Sequence, residues 1–261
     1  MIMKKRSYLV RLASNTNVMI ARSMRHILAV PDMLLGVTIQ PIMFVVLFRY
    51  VFGGAIETGG VSYINFLMAG IFVQTAAFGA TTTGFSIASD LQRGIIDRFR
   101  SLPMIPSSVL AGHIVADLVR NTFATIVMVV AGLAVGFRPS AGVLEWLAVF
   151  GLILLFTFAL SWLSAIVGLM GKSVEFVQQM SFIVIFPLTF ISSAFVPTST
   201  MPEWLRGFAE NQPVTRTVEA TRALLLDLPL KDHATWAVIW SLVILVISYP
   251  VASAMFKRIG R

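Results

Sequence analysis

Long apolar blocks constrain the fold of this chain more than any other feature of its sequence. Residues 63–88, for example, include no charged side chain. About 18 or more apolar residues in succession are enough for one helix to cross the hydrocarbon core of a bilayer, which is roughly 30 Å thick. The sequence contains six blocks of this kind, at 33–52, 63–88, 119–137, 146–170, 176–196 and 235–256.

These blocks predict an all-α integral membrane protein. The chain is 57% hydrophobic and 12% charged, and its mean hydropathy is +0.86, whereas a soluble domain has about 25% charged residues. Because the bilayer core holds no water, only helices and closed barrels satisfy their own backbone hydrogen bonds there. Barrel strands alternate apolar and polar residues, and the blocks lack this alternation. We therefore predict a single domain over residues 1–261, built as a bundle of six transmembrane helices.

The positions of lysine and arginine predict the orientation of this bundle. With the amino terminus in the cytoplasm, 13 of the 20 lysines and arginines fall in cytoplasmic segments. Cytoplasmic loops carry such an excess, so both ends of the chain are predicted to be cytoplasmic. The net charge of +8 then reflects orientation and contact with lipid headgroups. A nucleic-acid partner is not expected, because the basic residues form no stripe interleaved with exposed aromatics.

The run GLMGKS at 168–173 raises the question of a nucleotide site. A phosphate-binding Walker A loop has the pattern G-x-x-x-x-G-K-[ST], so Gly171, Lys172 and Ser173 would require a glycine at position 166. Ile166 stands there instead. The loop should also follow a buried strand of a soluble sheet, whereas this run joins two predicted spans. We predict a tight interhelical turn and no ATPase activity in this chain itself.

Few residues are candidates for catalysis or metal binding. The chain has no cysteine, which excludes disulfides and thiolate metal sites. His113 and Asp117 can share a helix face, but two ligands without a third do not form a zinc site. Asp117 and Arg120 are spaced to neutralise each other, and structural pairing is favoured over a proton relay. No catalytic residue, metal or cofactor is therefore predicted. Two alternatives stay open, namely an intramembrane enzyme that uses these three residues for acid–base chemistry and a proton-driven transporter.

The segments that join the predicted spans have helical patterns of their own. Within the cytoplasmic segment 1–32, the stretch from about Asn17 to the break at Pro31 predicts an amphipathic helix that lies on the cytoplasmic leaflet. The cytoplasmic connection 89–113 predicts a second short amphipathic helix, with apolar residues on one face at Leu91, Ile95, Phe99 and Leu102. The external segment 197–234 contains two stretches with helical spacing, each bounded by proline. They predict short helices that dip partly back into the membrane.

Two connecting segments carry a resemblance to a known family. They read DLQRGIIDRFRSLPMIPSSVLAGHIVADLVR after the second span and FPLTFISSAFVPTSTMPEWLRGFAENQPVTRTVEATRAL after the fifth. In this order, after an amphipathic amino-terminal helix, they resemble the membrane subunit of type-2 ABC exporters, in particular the daunorubicin-resistance-like permeases of actinobacteria. The similarity extends over nearly the whole chain, from about residue 18 to residue 256. The cytoplasmic helix of the family often carries an acidic residue at the position of Gln92. This chain has no acid at that position, so the resemblance implies no acidic contact with an ATPase there.

The resemblance implies a permease domain in the bacterial plasma membrane that pairs with a second permease copy and binds two separate ATPase subunits. It implies that the helix after the second span couples to the ATPase, through Asp90, Arg93, Gly94, Asp97, Arg98 and Phe99. The substrate path is expected at the dimer interface, on the first and fifth spans, at Gln40, Pro41, Phe44, Gln178, Phe182 and Phe186. So apolar a path suits an amphipathic drug, lipid or glycolipid better than a small ion.

Overall fold

The computed structural model describes residues 39, 41–56, 58, 60–96, 107–171 and 173–258. All regular secondary structure in these residues is helical, which confirms the predicted all-α class. The helices are α1 Pro41–Phe52, α2 Tyr63–Gln92, α3 Ser107–Val135, α4 Val143–Met170, α5 Val174–Phe190, α6 Glu203–Asn211, α7 Pro213–Leu226 and α8 His233–Arg258. The last turn of α1, Phe48–Phe52, is a π-helix. The amphipathic helix predicted within 1–32 lies outside the described residues.

Four of these helices are long and apolar enough to cross a membrane, namely α2, α3, α4 and α8. Helices α1 and α5 are apolar but shorter. The first predicted span begins at position 33, outside the described residues, so the count of six spans stays a prediction. The fifth apolar block was predicted to extend to position 196, but its helix, α5, ends at Phe190.

Helix α5 ends at this point because a side chain from a later segment satisfies its last carbonyl groups. The final carbonyls of any helix have no partner within the helix. Gln212 Nε2 donates to the carbonyl oxygen of Leu188 at 2.8 Å and to that of Ile191 at 3.0 Å. The chain therefore leaves the helix and turns through 191–196 toward α6 and α7, which lie in the predicted external segment. Whether these two short helices re-enter the membrane stays a prediction.

Helix α2 forms the centre of the bundle. It packs against α3, α4, α5 and α7, and most of its residues are buried. The uncharged block 63–88 within α2 suits this position, because a charge buried within a membrane protein needs a partner. The rings of Phe72 and Phe137 are fully buried and meet edge to face, with centroids 6.1 Å apart. The core of the bundle therefore surrounds the 63–88 block.

Two glycines bring α2 and α4 into close contact near one end of the bundle. A Cβ atom on Gly168 would lie 2.5 Å from the carbonyl oxygen of Gly84, and a Cβ on Gly84 would lie 2.6 Å from the carbonyl oxygen of Ser164. The Gly84 N–H also donates to Ser164 Oγ at 3.1 Å. Small residues allow helix backbones to approach in this way in membrane proteins. The first glycine of GLMGKS therefore serves helix packing. The first three residues of this run belong to α4, which ends at Met170, and α5 begins at Val174.

Adding one methyl group at this contact is expected to destabilise the bundle. We predict that Gly168→Ala lowers the free energy of unfolding by about 1–3 kcal/mol, because the new Cβ meets backbone atoms that cannot rotate away. Gly151→Ala is the matched control on the same helix, since a Cβ there has no atom within 4 Å. The control should leave stability unchanged or raise it by up to about 1 kcal/mol. Unfolding of both variants by dodecyl sulfate in mixed micelles measures the difference, and equal stabilities would contradict the close contact.

A buried arginine joins the external segment to the end of α2. Arg222 of α7 lies 3.6 Å from the ring centroid of Phe66. Its guanidinium donates to the carbonyl oxygen of Phe66 at 3.2 Å, to that of Ser193 at 2.7 Å and to Glu219 Oε1 at 2.5 Å. Burial lowers the pKa of Arg222 from its ordinary value, and the Glu219 carboxylate opposes that shift. The contacts hold α7 and the turn after α5 over the end of the central helix.

Candidate functional site

A cavity of about 300 Å³ lies between α1, α2 and α5, partly open at one side. Helix α1 contributes Pro41 and Phe44, and α5 contributes Gln178, Ser181 and Phe182. Helix α2 supplies the remaining wall with Gln74, Thr75, Phe78, Gly79, Thr81, Thr82 and Phe85. None of these lining residues is charged. The wall therefore combines four aromatic rings with neutral hydroxyl and amide groups, a mixture typical of sites for amphipathic molecules.

The cavity brings together part of the path that the sequence predicted on the first and fifth spans. Phe44, Gln178 and Phe182 line it. Phe186 is not among the lining residues, but its ring stacks on Phe182 at 4.8 Å and so extends the aromatic row along α5. Gln40 lies outside the described residues. The role of these side chains in transport stays a prediction.

The α2 wall of the cavity was not predicted. Its polar residues lie in the span 63–88, whose lack of charge marked it as a membrane helix without indicating which side faced a cavity. One signal in the sequence was available. Gln74 and Thr75 are adjacent polar residues in the middle of an apolar span, and polar residues at that depth are commonly functional or bonded between helices.

A buried ion pair lies directly behind the α2 wall. Asp117 and Arg120 are 3% and 8% exposed and contact each other through Oδ1 and a guanidinium nitrogen. The Thr82 hydroxyl, on the cavity wall, lies 2.6 Å from Asp117 Oδ1. The hydroxyls of Thr83 and Ser161 donate to Oδ2 at 2.8 Å and 3.1 Å. The carboxylate therefore links α2, α3 and α4 and is enclosed by donors on both oxygens.

This arrangement does not support the acid–base cluster considered for an intramembrane enzyme. His113 Nε2 lies 3.2 Å from Asp90 Oδ2 and not next to Asp117. The enclosed carboxylate of Asp117 has hydrogen-bond donors where a substrate would need to bind. Among the described residues, no group of three or more histidine, aspartate or glutamate side chains is arranged to hold a metal ion. The structural pairing of Asp117 with Arg120 that the spacing predicted is confirmed.

The segment predicted to couple to an ATPase begins within α2. Asp90 lies in the last turns of α2, is 8% exposed and contacts His113 of α3. Arg93 and Gly94 form an exposed turn after the helix. Gly94 has a φ of 65°, in the left-handed region that favours glycine, so the single helix predicted from Leu91 onward is interrupted here. The three remaining predicted contact residues, Asp97, Arg98 and Phe99, lie outside the described residues.

Ile96 shows where the chain continues after this turn. Its side chain is fully buried in a cluster formed by the ends of α2, α3, α4 and α8, together with Ile87, Leu110, Trp162 and Phe256. Ile96 therefore packs back onto the end of the bundle, while Arg93 stays exposed. This turn follows the end of α2, the same helix that lines the cavity at positions between 74 and 85.

Comparisons with known proteins agree with these features. A family model for the ABC-2 type transporter matches residues 14–226. The chain is 33% identical over 195 residues to a daunorubicin resistance ABC transporter permease of Streptomyces coeruleorubidus, which covers 75% of this chain and 69% of that protein. It is 25% identical over 260 residues to a probable doxorubicin resistance ABC transporter permease of Mycobacterium tuberculosis, with 97% and 90% covered. This chain belongs to the ABC-2 type transporter family, as one of its permeases.

Proposed function

We propose that this chain is the membrane subunit of an ATP-driven exporter and moves an amphipathic drug, lipid or glycolipid-like molecule out of a bacterial cell. The cavity between α1, α2 and α5 is the observation that carries the substrate class. Its aromatic rings fit apolar groups, and its neutral hydroxyl and amide groups fit uncharged polar groups. A small ion would need charged or carbonyl ligands, and none of the described lining residues is charged.

The energy source in this proposal is a separate ATPase subunit. The chain lacks the glycine that a Walker A loop requires, and its family works in ABC transporters. ATP-driven closure of two such subunits would move the exposed turns at Arg93 and Gly94, and each turn would carry α2 with it. The cavity would then change from inward-facing or bilayer-facing to outward-facing, as a shift between two populated states.

A second permease copy completes the proposed transporter. Helices α1 and α5 flank the cavity and expose apolar side chains beside it, including Met43 (63%), Leu47 (47%) and Ile183 (59%). A second copy placed against these helices would close the open side of the cavity with another apolar wall. The complete transporter would then hold two permeases and two ATPases in the plasma membrane, with both chain ends of each permease in the cytoplasm.

Doxorubicin is a suitable probe, because two relatives of this chain are named for resistance to daunorubicin and doxorubicin. Inside-out vesicles that hold the chain and its co-purifying ATPase should accumulate doxorubicin when ATP is added, and quenching of its fluorescence measures the uptake. Phe182→Ala should reduce the initial rate about tenfold, because a ring is removed from the cavity wall. Phe176→Ala is the control on the same helix, exposed and outside the cavity. Uptake that persists without ATP or without the permease would contradict the proposal.

A further inference from the structure

Two buried polar groups on the α2 wall of the cavity lack hydrogen-bond partners. They are Gln74 Nε2 and Thr75 Oγ1, neither of which has a partner among the described residues. The side chains of Gln74 and Thr75 are 4% and 5% exposed, and both line the cavity. Leaving such a group buried and unpaired is costly, so an unpaired buried amide or hydroxyl calls for an explanation.

The hydroxyl of Thr75 differs from those of most other buried threonines in the bundle. A threonine within a helix ordinarily donates to the carbonyl oxygen three or four residues earlier. Thr125, Thr157 and Thr189 do so, at 2.9, 2.8 and 2.9 Å. Thr75 lies in the middle of α2 and makes no such bond within the described part of the chain. Its hydroxyl therefore has no partner in the described part of the chain, although the residue itself lines the cavity.

We propose that Gln74 and Thr75 form a polar subsite that binds an uncharged hydrogen-bond acceptor, such as a ketone, ester or amide carbonyl, on an otherwise apolar molecule. The Gln74 amide nitrogen can only donate, so it selects an acceptor. The Thr75 hydroxyl can donate to the same oxygen. Phe78, one turn away on α2, and Phe44 and Phe182 across the cavity supply rings for the apolar part of the ligand.

Because the described residues of the cavity wall carry no charge, the subsite should select neutral ligands over charged ones. A carboxylate or phosphate in the cavity would lose its hydration without meeting a cation among the described lining residues. The buried guanidinium of Arg120 does not serve this purpose, because it is engaged by Asp117 and by the carbonyl oxygen of Gly79 at 3.1 Å. The subsite therefore favours a carbonyl-bearing neutral molecule over both its anionic and its purely hydrocarbon counterparts. The inference concerns equilibrium binding to the cavity. It rests on the proposed function only where the bound molecule is taken to be a transported substrate.

A matched pair of probes tests the subsite without an ATPase. 1-Acetylpyrene and 1-ethylpyrene have the same ring system and nearly the same size, but only the first carries a carbonyl oxygen. The purified full chain in nanodiscs is titrated with each probe, energy transfer from its tryptophans reports binding, and partition into empty nanodiscs is subtracted. We expect 1-acetylpyrene to bind roughly tenfold more tightly than 1-ethylpyrene. Equal affinities for the wild-type chain would overturn the proposal, whatever the variants do.

Variants identify the groups responsible for the preference. Gln74→Leu and Thr75→Val should each reduce the preference for 1-acetylpyrene several-fold while leaving the affinity for 1-ethylpyrene unchanged. Thr157→Val is the control, a buried threonine outside the cavity, and it should keep the wild-type preference. A preference that survives in both cavity variants would overturn the assignment. Failure of doxorubicin uptake with an intact probe preference would count against the transport proposal and leave the subsite standing.

The carbonyl in the cell could belong to a soluble compound or to the ester of a membrane lipid. Nanodiscs made from ester-linked and from ether-linked phosphatidylcholine separate these sources. Weaker 1-acetylpyrene binding in the ester-linked discs would show that a lipid carbonyl competes for Gln74 and Thr75. Equal binding in both discs would assign the subsite to a solute. Either result supports a carbonyl subsite, whereas loss of the preference for 1-acetylpyrene in both kinds of disc would contradict it.

Discussion

Replacing Arg120 with leucine is expected to lower the free energy of unfolding by about 3–5 kcal/mol, because it leaves a buried carboxylate without its cation. Asp117 is 3% exposed, and it would keep its contacts with the hydroxyls of Thr82, Thr83 and Ser161. Those neutral donors cannot replace a full positive charge in this environment. Unfolding in dodecyl sulfate, followed by tryptophan fluorescence or circular dichroism, measures the loss.

The matched control for this variant is Arg258→Leu. Arg258 is exposed in the last turn of α8, so the same substitution there should change stability by no more than about 0.5 kcal/mol. The double variant Asp117→Asn, Arg120→Gln should lose less free energy of unfolding than the sum of the losses for Asp117→Asn alone and Arg120→Gln alone. In the double variant neither charge is left without its partner. A buried ion pair would be contradicted if Arg120→Leu and Arg258→Leu were equally stable.

The ion pair also explains why the cavity wall should be rigid. Thr82 lines the cavity and contacts Asp117 of α3, whose other oxygen accepts from Ser161 of α4. The three helices are thus joined at one carboxylate immediately behind the wall. A movement of α2 would have to carry these partners with it or break their hydrogen bonds. We expect the Arg120 variant to transport less even where it folds, because the wall loses this support.

Some of this arrangement could be predicted from the sequence, because it depends on local composition. The apolar blocks identify the helices, and the sparse polar and aromatic residues of the first and fifth blocks lead to Phe44, Gln178 and Phe182. Asp117 and Arg120 lie three residues apart, so their pairing is a local property of one helix. The failed Walker pattern around Ile166 likewise follows from spacing alone.

Other features depend on contacts between residues far apart in the chain. Helix α5 ends at Phe190, where the side chain of Gln212 donates to carbonyl oxygens at the helix end. Nothing in the sequence of residues 176–196 indicates that this later residue is their partner. His113 pairs with Asp90 of another helix, although Asp117 was its neighbour in sequence. The contribution of α2 to the cavity does not follow from the sequence, because Gln74 and Thr75 mark polar positions in the span without showing whether a cavity or another helix faces them.

The helix that lines the cavity is also the helix that reaches the proposed ATPase contact. Phe85 is the last lining residue of α2, and Arg93 follows eight positions later, which corresponds to about 12 Å along a helix. The exposed charge of Arg93 follows directly after the end of α2, a helix in which most residues are buried. A partner that pushes on this turn would therefore displace the cavity wall directly. Arg93→Glu should disrupt the contact, because reversing a charge at an interface places like charges together or removes an attraction.

Co-purification with an ATPase tests the central claim most directly. The tagged chain is isolated from gently solubilised membranes of the source organism as wild type, Arg93→Glu and Lys257→Glu, and ATP hydrolysis by each preparation is measured. Lys257 is the control, exposed at the end of α8 on the same predicted cytoplasmic side. We predict that a subunit with an intact Walker A loop accompanies the wild type and the Lys257 variant, and that Arg93→Glu loses at least tenfold of the bound ATPase activity. If the wild-type chain is isolated alone and without ATPase activity, the claim that it is driven by a separate motor is wrong.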